Sequence, residues 1–329
     1  MVRNRGYRAL GVLARGRIVR GVRAASAGLL IFVGTGAASP APRRAGPPNR
    51  PQAWMDAKNL CVFSLGEGRM PQDPTELSVA LKDGWKQVIT VPDPQKAVFI
   101  DGGMYPSLDT LRIDLSDAEL HPPKKKQKVE LNNRVETNLD VQHLEVRGQP
   151  VLLKKAKLNM RLTADGARID MERDRRGKPV MLLAEAKAGT LSFDVSRADA
   201  ESLMLQNARE MASPYGVRVE KMQLLVIPET PRSVEAELYV ETKVALIPAG
   251  MLFKAHVTVD DKMNARLSGL SCQGDEALGP LIVHFLRPAL AKYEGRTRPL
   301  VSFPERNMHL HDVAVRVDDR LHLTAAFGS

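Results

Sequence analysis

The sequence predicts an α+β fold in which a curved antiparallel sheet packs against one or two long amphipathic helices. From Ala97 onwards, apolar and polar residues alternate through most of the chain, a period of two that is typical of half-buried strands. Two stretches, Ser196–Ala212 and Gly279–Tyr293, change to the helical spacing of apolar residues. Each follows a series of strand patterns, so the two halves of the chain share one order of elements, although not their residues.

The stretch Gly279–Tyr293 is the more apolar of the two predicted helices. Pro280 is tolerated in a first helical turn, and Gly295 supplies a stop signal. Pro288 removes one backbone hydrogen bond and predicts either a kink or a helix that ends near Arg287. The apolar side chains at helical spacing define one face, made of Leu278, Leu281, Ile282, Phe285, Leu286, Ala289, Leu290 and Tyr293.

The stretch Ser196–Ala212 predicts a second helix, with Ser196 as its N-cap. Its apolar stripe consists of Leu203, Met204, Ala208 and Met211. Among the strands, residues 156–174 predict a hairpin whose turn is Asp165-Gly166. Several of the 13 methionines fall in or beside the predicted helices, and methionine adapts its shape to varied apolar partners.

Four segments are predicted along the 329 residues. Residues 1–38 combine seven arginines with a short apolar run, which predicts a secretory signal peptide or, as the alternative, an N-terminal membrane anchor. Residues 39–53 are a proline-rich linker, and residues 54–96 are an irregular accessory segment. Residues 97–329 form the main curved-sheet domain. An exported, periplasmic location follows from the first segment.

The basic character of the chain is confined to its start. Ten arginines and no acidic residue occur in the first fifty positions, and the rest of the chain carries 38 basic and 38 acidic residues. A nucleic-acid-binding fold is therefore not expected. The run of lysines at 124–128 resembles a nuclear localisation signal, but a solvated loop is the simpler interpretation in an exported chain.

No catalytic signature is present, so the chain is predicted not to be an enzyme, and no metal or cofactor is expected. His309 and His311 have the spacing of two zinc ligands on a strand face, but a metal needs a third ligand and the neighbouring Asp312 is expected on the opposite face. Cys61 and Cys272 either form a disulfide, which an exported protein permits, or remain two separate thiols.

The segment from about Leu139 to Phe327 resembles the tubular lipid-binding superfamily, and in particular its bacterial exported branch of uncharacterised domains. The stretches SRADAESLMLQNARE, GVRVEKMQLLV, GPLIVHFLRPALAKY and VAVRVDDRLHLTAAFG carry the resemblance by pattern and layout. The resemblance implies a highly curved antiparallel sheet wrapped on long helices, with a lipid or other apolar ligand in the cleft.

The predicted function is the binding of a lipid or other apolar small molecule in a groove between helix and sheet, with lipid transfer as an extension. A membrane surface is a second candidate partner. The alternatives are a ligand-free scaffold of the cell envelope and, less favoured, an envelope hydrolase. The side chains predicted to line the groove are those on the apolar faces of the two helices: Leu203, Met204, Leu281, Ile282, Phe285, Leu286 and Leu290.

Overall fold

A computed structural model describes residues 62–86, 88–121, 131–213, 216–244, 247–275, 279–300 and 308–329. The predicted signal segment, the linker and Cys61 therefore lie outside the described residues. The described chain forms two compact units, named here by their sheets. The large-sheet unit comprises residues 62–195, 308–314 and 320–329, and the small-sheet unit comprises residues 196–300 and 315–319.

Strands dominate both units. In chain order they are β1 (Val62–Ser64), β2 (Ile89–Thr90), β3 (Val98–Asp101), β4 (Ser107–Asp114), β5 (Glu119–Leu120), β6 (Leu131–Leu153), β7 (Ala156–Asp174), β8 (Pro179–Glu185), β9 (Ala188–Ser196), β10 (Val217–Thr230), β11 (Ser233–Val244), β12 (Ile247–Val259), β13 (Asn264–Asp275), β14 (Thr297–Pro299), β15 (His309–Val317) and β16 (Arg320–Gly328). Three helices occur among the described residues: α1 (Pro74–Trp85), α2 (Arg197–Ala212) and α3 (Gly279–Ala291).

The predicted fold class is wrong. The described chain is mainly β, and its longest helix, α2, has 16 residues. The helix predicted to reach Tyr293 ends at Ala291 and has 13 residues. The period-2 pattern extends further than the helical one, since β6 alone has 23 residues and β7 has 19. Short helices therefore lie on sheets here, and no sheet wraps around a long helix in the described residues.

The large sheet has eleven strands, seven of which lie in the order β15-β16-β9-β7-β6-β4-β3. Of the other four, β5 pairs with β6 and β2, and β8 pairs with β7 and β1. The predicted antiparallel pairing is confirmed for most neighbours, whereas β4 and β5 each pair with β6 in parallel. The stretch predicted as an accessory segment supplies β1, α1 and β2, and β1 pairs with β8. Fully buried side chains such as Leu111, Leu139 and Ile169 form the core of this unit.

The predicted hairpin at Asp165-Gly166 is wrong. Strand β7 runs through Gly166, which has a φ of +55° but does not reverse the chain. The reversal occurs earlier, where β6 meets β7 at Lys154 and Lys155, with φ of +50° and +71°. Two positive φ values characterise the type I′ turn that suits the twist of paired strands. Two lysines gave no turn signal because glycine and asparagine usually occupy such positions.

Replacing Lys155 with glycine is expected to stabilise the protein. A positive φ costs a residue with a Cβ roughly 1–2 kcal/mol, and glycine adopts it without that strain. We expect the free energy of unfolding to rise by about 1 kcal/mol in urea denaturation. Lys157→Gly is the control: it places glycine inside β7, and the expected effect is a loss. A loss for both variants would show that the turn is not strained.

A second stability prediction concerns Asp170, on β7 of the large-sheet unit. Its Oδ1 atom is buried and accepts no hydrogen bond, and Arg168 Nε lies 3.5 Å away. Burial raises the pKa of this carboxyl above its ordinary value, and the attraction of Arg168 offsets only part of that effect. The folded state therefore holds this proton to higher pH than the unfolded state does.

Asp170→Asn is consequently expected to stabilise the protein near neutral pH by about 1 kcal/mol. In the wild-type protein, the protonated Asp170 carboxyl favours the folded state. This stabilising contribution is lost as pH rises from the ordinary aspartate range through the raised pKa. The advantage of the variant should therefore shrink at pH 3, as measured by urea denaturation at both pH values. An advantage of equal size at pH 3 and pH 7 would contradict this account.

Candidate apolar binding layer

The five strands of the small sheet, in the order β10-β11-β12-β13-β14, place most of their apolar residues on one face. The pairing register aligns these residues in rows that cross four strands. Most of them are buried. Four strands at a spacing of about 4.8 Å make this face about 14 Å wide. The two central rows are Met222–Val240–Met251–Gly274 and Leu224–Leu238–Phe253–Cys272.

Methionine is prominent in this apolar layer. Met222 and Met251 lie in one row with Val240 between them and are 4% and 1% exposed. Met204, on α2, is 4% exposed. Unbranched methionine side chains rearrange at a lower cost than branched ones, which suits a layer that must repack around varied apolar groups.

Helix α2 packs against β10, an edge strand of the sheet. Ser196 caps it as predicted, because its side chain accepts a hydrogen bond from the Asp199 amide. Glu201 Oε1 accepts from the Leu224 amide at 2.8 Å, and Arg209 Nε donates to the Val219 carbonyl at 2.8 Å. Two side chains of α2 thus bind the backbone of β10 and fix the helix on that strand.

Helix α3 lies against β13 and β12 and is held near both of its ends. At its start, Gly279 is in close contact with Gly274, and a Cβ on Gly279 would lie 3.1 Å from the Gly250 carbonyl oxygen. Beyond its end, the Glu294 carboxylate accepts from the Gly269 and Leu270 amides at 3.0 and 2.9 Å. A register shift in β13 near these residues leaves their amides available. We call this pair of bonds the Glu294 clamp.

The predicted groove residues divide into three groups. Met204, Ile282 and Leu286 are buried, with Ile282 and Leu286 each 1% exposed, and Leu203 and Leu290 are half-buried. Leu281 is 48% exposed. Phe285 belongs to α3, but its side chain lies outside the described residues. A side chain that bordered a water-sized void would keep accessible surface, so protein fills the space around Ile282 and Leu286.

Cys272 occupies the stretch of β13 between the two points where the α3 segment is attached. Its side chain is half-buried. Burial raises the pKa of this thiol to about 12, so the reactive thiolate is scarce at neutral pH. Because Cys61 lies outside the described residues, the disulfide with Cys272 stays a prediction.

The opposite face of the small sheet carries a polar cluster that the sequence did not reveal. Ser233 Oγ donates to Glu229 Oε2 at 2.7 Å, and His256 Nε2 lies 2.7 Å from the same oxygen and 2.9 Å from Ser233 Oγ. Hydrogen bonds from Ser233 and then from His256 hold the pKa of Glu229 below its ordinary value. Glu229 and Ser233 are close in sequence, across the turn between β10 and β11, whereas the strand register brings the distant His256 to them.

This polar cluster lacks the geometry of a catalytic triad. In a triad, the serine and the carboxylate contact opposite nitrogens of the imidazole ring, whereas Ser233 and Glu229 share Nε2. Ser268 Oγ lies 3.5 Å from Nδ1, at the limit of a hydrogen bond. Glu229 and His256 border an open depression of about 230 Å³.

His309 and His311 lie on β15 and are both exposed. Within the part of the chain that the structure describes, no three side chains of histidine, cysteine, aspartate or glutamate are placed to hold a metal ion. Nor does any helix in these residues have the length and apolar content needed to span a bilayer.

Comparison with known proteins assigns no family to this chain. No family model and no curated protein matches the chain. Among solved structures, the chain is similar to a crystal structure of a lipopolysaccharide binding protein, with 10% sequence identity and a TM-score of 0.23. The match covers 48% of this chain and 53% of the other, so it spans about half of that protein's length. A TM-score of 0.23 is too low to indicate a shared fold or a shared function.

Proposed function

We propose that this chain is an exported envelope protein that binds the acyl chain of a lipid between α3 and the small sheet. The observation that carries the proposal is the apolar face of that sheet, whose rows of side chains include two methionines and lie next to a short apolar helix. Export rests on the apolar, arginine-rich segment 1–38. The proposed role is binding, without a catalysed reaction.

Binding requires α3 to move, because protein fills the space around Ile282 and Leu286. Within α3 itself, His284 and Arg287 are the polar side chains, so apolar packing and the Glu294 clamp are the main opposition to that movement. The apolar surface that an acyl chain covers contributes about 25 cal/mol per Å², which offsets the packing between helix and sheet that is disrupted when α3 shifts. The methionines then adjust to the shape of the acyl chain.

The test is a titration of the full-length protein with a dansyl-labelled fatty acid, followed by fluorescence. We expect saturable binding with one site per protein. Leu290→Asp places a charge at a half-buried position of α3, four residues beyond buried Leu286, and should weaken binding at least fivefold. Leu225→Asp is the control, because it introduces the same charge on β10, where Leu225 is 41% exposed. Equal weakening by both variants would contradict binding at α3.

A ligand-free scaffold is the second candidate function. The 1% exposure of Ile282 and Leu286 favours it, because a filled layer needs no ligand for its stability. In that case the labelled fatty acid would bind without saturation, and neither substitution would alter the signal. Mass spectrometry of lipids extracted from protein purified from membranes would then find none.

A further inference from the structure

Three arginines of the large-sheet unit lie together on one face of β4, β6 and β7. Arg112 pairs with Glu145 across β4 and β6, and Arg147 pairs with Arg161 across β6 and β7. Since Glu145 and Arg147 are two residues apart, they share a face of the sheet. The side chains of Arg112, Arg147 and Arg161 are 42%, 40% and 52% exposed, so solvent reaches all three.

Glu145 holds two of these arginines in place. It is only 4% exposed, and a buried carboxylate is stable only when it is paired. Arg112 Nε donates to its Oε2 and Arg161 Nε donates to its Oε1, each at 2.9 Å. The two guanidinium groups therefore bind the two oxygens of the same carboxylate and are held close together. Phe99 stacks on Arg112, with 5.7 Å from the guanidinium carbon to the ring centre, and limits its motion further.

The outer nitrogens of Arg112 and Arg161 remain available. Among the described residues, both arginines donate to protein through Nε alone, so their Nη groups face no protein acceptor there. Arg147 donates twice to Asp114, at 3.0 and 2.6 Å. The three guanidinium groups pair with only two carboxylates, Glu145 and Asp114, which leaves an excess of one positive charge. The N–H donors of these groups are carried by paired strands of the sheet.

Hydroxyl groups lie next to these guanidinium groups. Thr163 pairs directly with Glu145 and is hydrogen bonded to Thr190 on β9, with 2.7 Å between the two hydroxyl oxygens. Fixed guanidinium forks match the oxygens of a phosphate group, and a threonine hydroxyl adds a neutral donor. We propose that Arg112 and Arg161, held by Glu145, and Arg147, held by Asp114, bind a phosphate group. This site is independent of the acyl-chain layer in the small-sheet unit.

The experiment measures binding of inorganic phosphate by ³¹P line broadening, and binding to phosphatidylcholine vesicles with and without phosphatidic acid by co-sedimentation. The two arms distinguish free phosphate from a lipid headgroup. We expect the wild-type protein to bind in at least one arm. Arg112→Gln should weaken that binding about tenfold, and it leaves Arg161 to pair with Glu145, which protects the fold.

Arg161→Lys keeps the charge beside Glu145 but removes the planar fork of donors, so it should also weaken binding. Arg316→Gln is the control, because Arg316 is 76% exposed on β15 and its replacement removes the same charge. Binding of phosphate alone, or of phosphatidic acid vesicles alone, supports the site and identifies its source. No binding in either arm, or equal weakening by the Arg316 variant, overturns the proposal.

Discussion

Gly274→Ala is expected to lower the free energy of unfolding by about 3 kcal/mol. A Cβ on Gly274 would lie 2.7 Å from Gly279 Cα and closer still to the Gly279 carbonyl group. Both are backbone atoms, so no side chain can turn aside. The start of α3 must move away from β13, and the burial of Ile282 and Leu286 is weakened with it.

Urea denaturation measures this loss. Gly68→Ala is the matched control, because a Cβ there would meet no atom within 4 Å and the φ of Gly68 is not positive. We expect the control to change stability by less than about 0.5 kcal/mol. If Gly274→Ala were as mild as the control, the close contact between α3 and β13 would be refuted.

Glu294→Ala is expected to accelerate the movement of α3. The Glu294 clamp consists of two hydrogen bonds from backbone amides to a carboxylate, and such charge-assisted bonds are stronger than neutral ones. Because Glu294 is exposed, water replaces part of what is lost, and we expect stability to fall by only about 1 kcal/mol. If the barrier to opening of α3 falls by the same free energy, the opening rate rises about fivefold to tenfold.

Stopped-flow measurement of the dansyl-labelled fatty acid checks this expectation. Both association and release should be faster in Glu294→Ala, while the equilibrium affinity changes less. Glu241→Ala is the control, since it removes the same charge from the opposite face of the sheet. Unchanged rates in Glu294→Ala would show that α3 does not control entry of the ligand.

Local pattern was enough to predict much of the secondary structure. Alternation predicted the strands of the small sheet, and the Ser196 N-cap located the start of α2. The end of α3 was placed within two residues, because Gly295 adopts a φ of +70° and terminates the segment. These features depend on neighbours along the chain, and the sequence contains them directly.

Features that depend on distant residues were missed. The turn at Lys154-Lys155 is imposed by the pairing of β6 with β7, which overrides the preferences of lysine. The same pairing keeps Gly166 inside a strand despite its turn-like sequence. The parallel pairing of β4 with β6 could not be predicted either, because successive side chains point to opposite faces in any strand, whichever way its neighbour runs.

The candidate site was predicted in part. Helical periodicity correctly indicated that Ile282 and Leu286 share a buried face, but it also placed exposed Leu281 beside them. Leu281 lies about 100° around the helix from its neighbour Ile282, which places it off the buried face. The rows that bring Met222, Met251 and Cys272 onto one face follow from strand register, which a single sequence does not specify.

The most direct test is the alkylation rate of Cys272 in a Cys61→Ser variant of the full-length protein, with and without the fatty acid. Cys272 lies between the two attachments of α3, and its raised pKa of about 12 makes its reaction with iodoacetamide slow in the closed state. An acyl chain between α3 and β13 should slow alkylation at least tenfold further. An unchanged rate at saturating fatty acid would contradict binding in this layer.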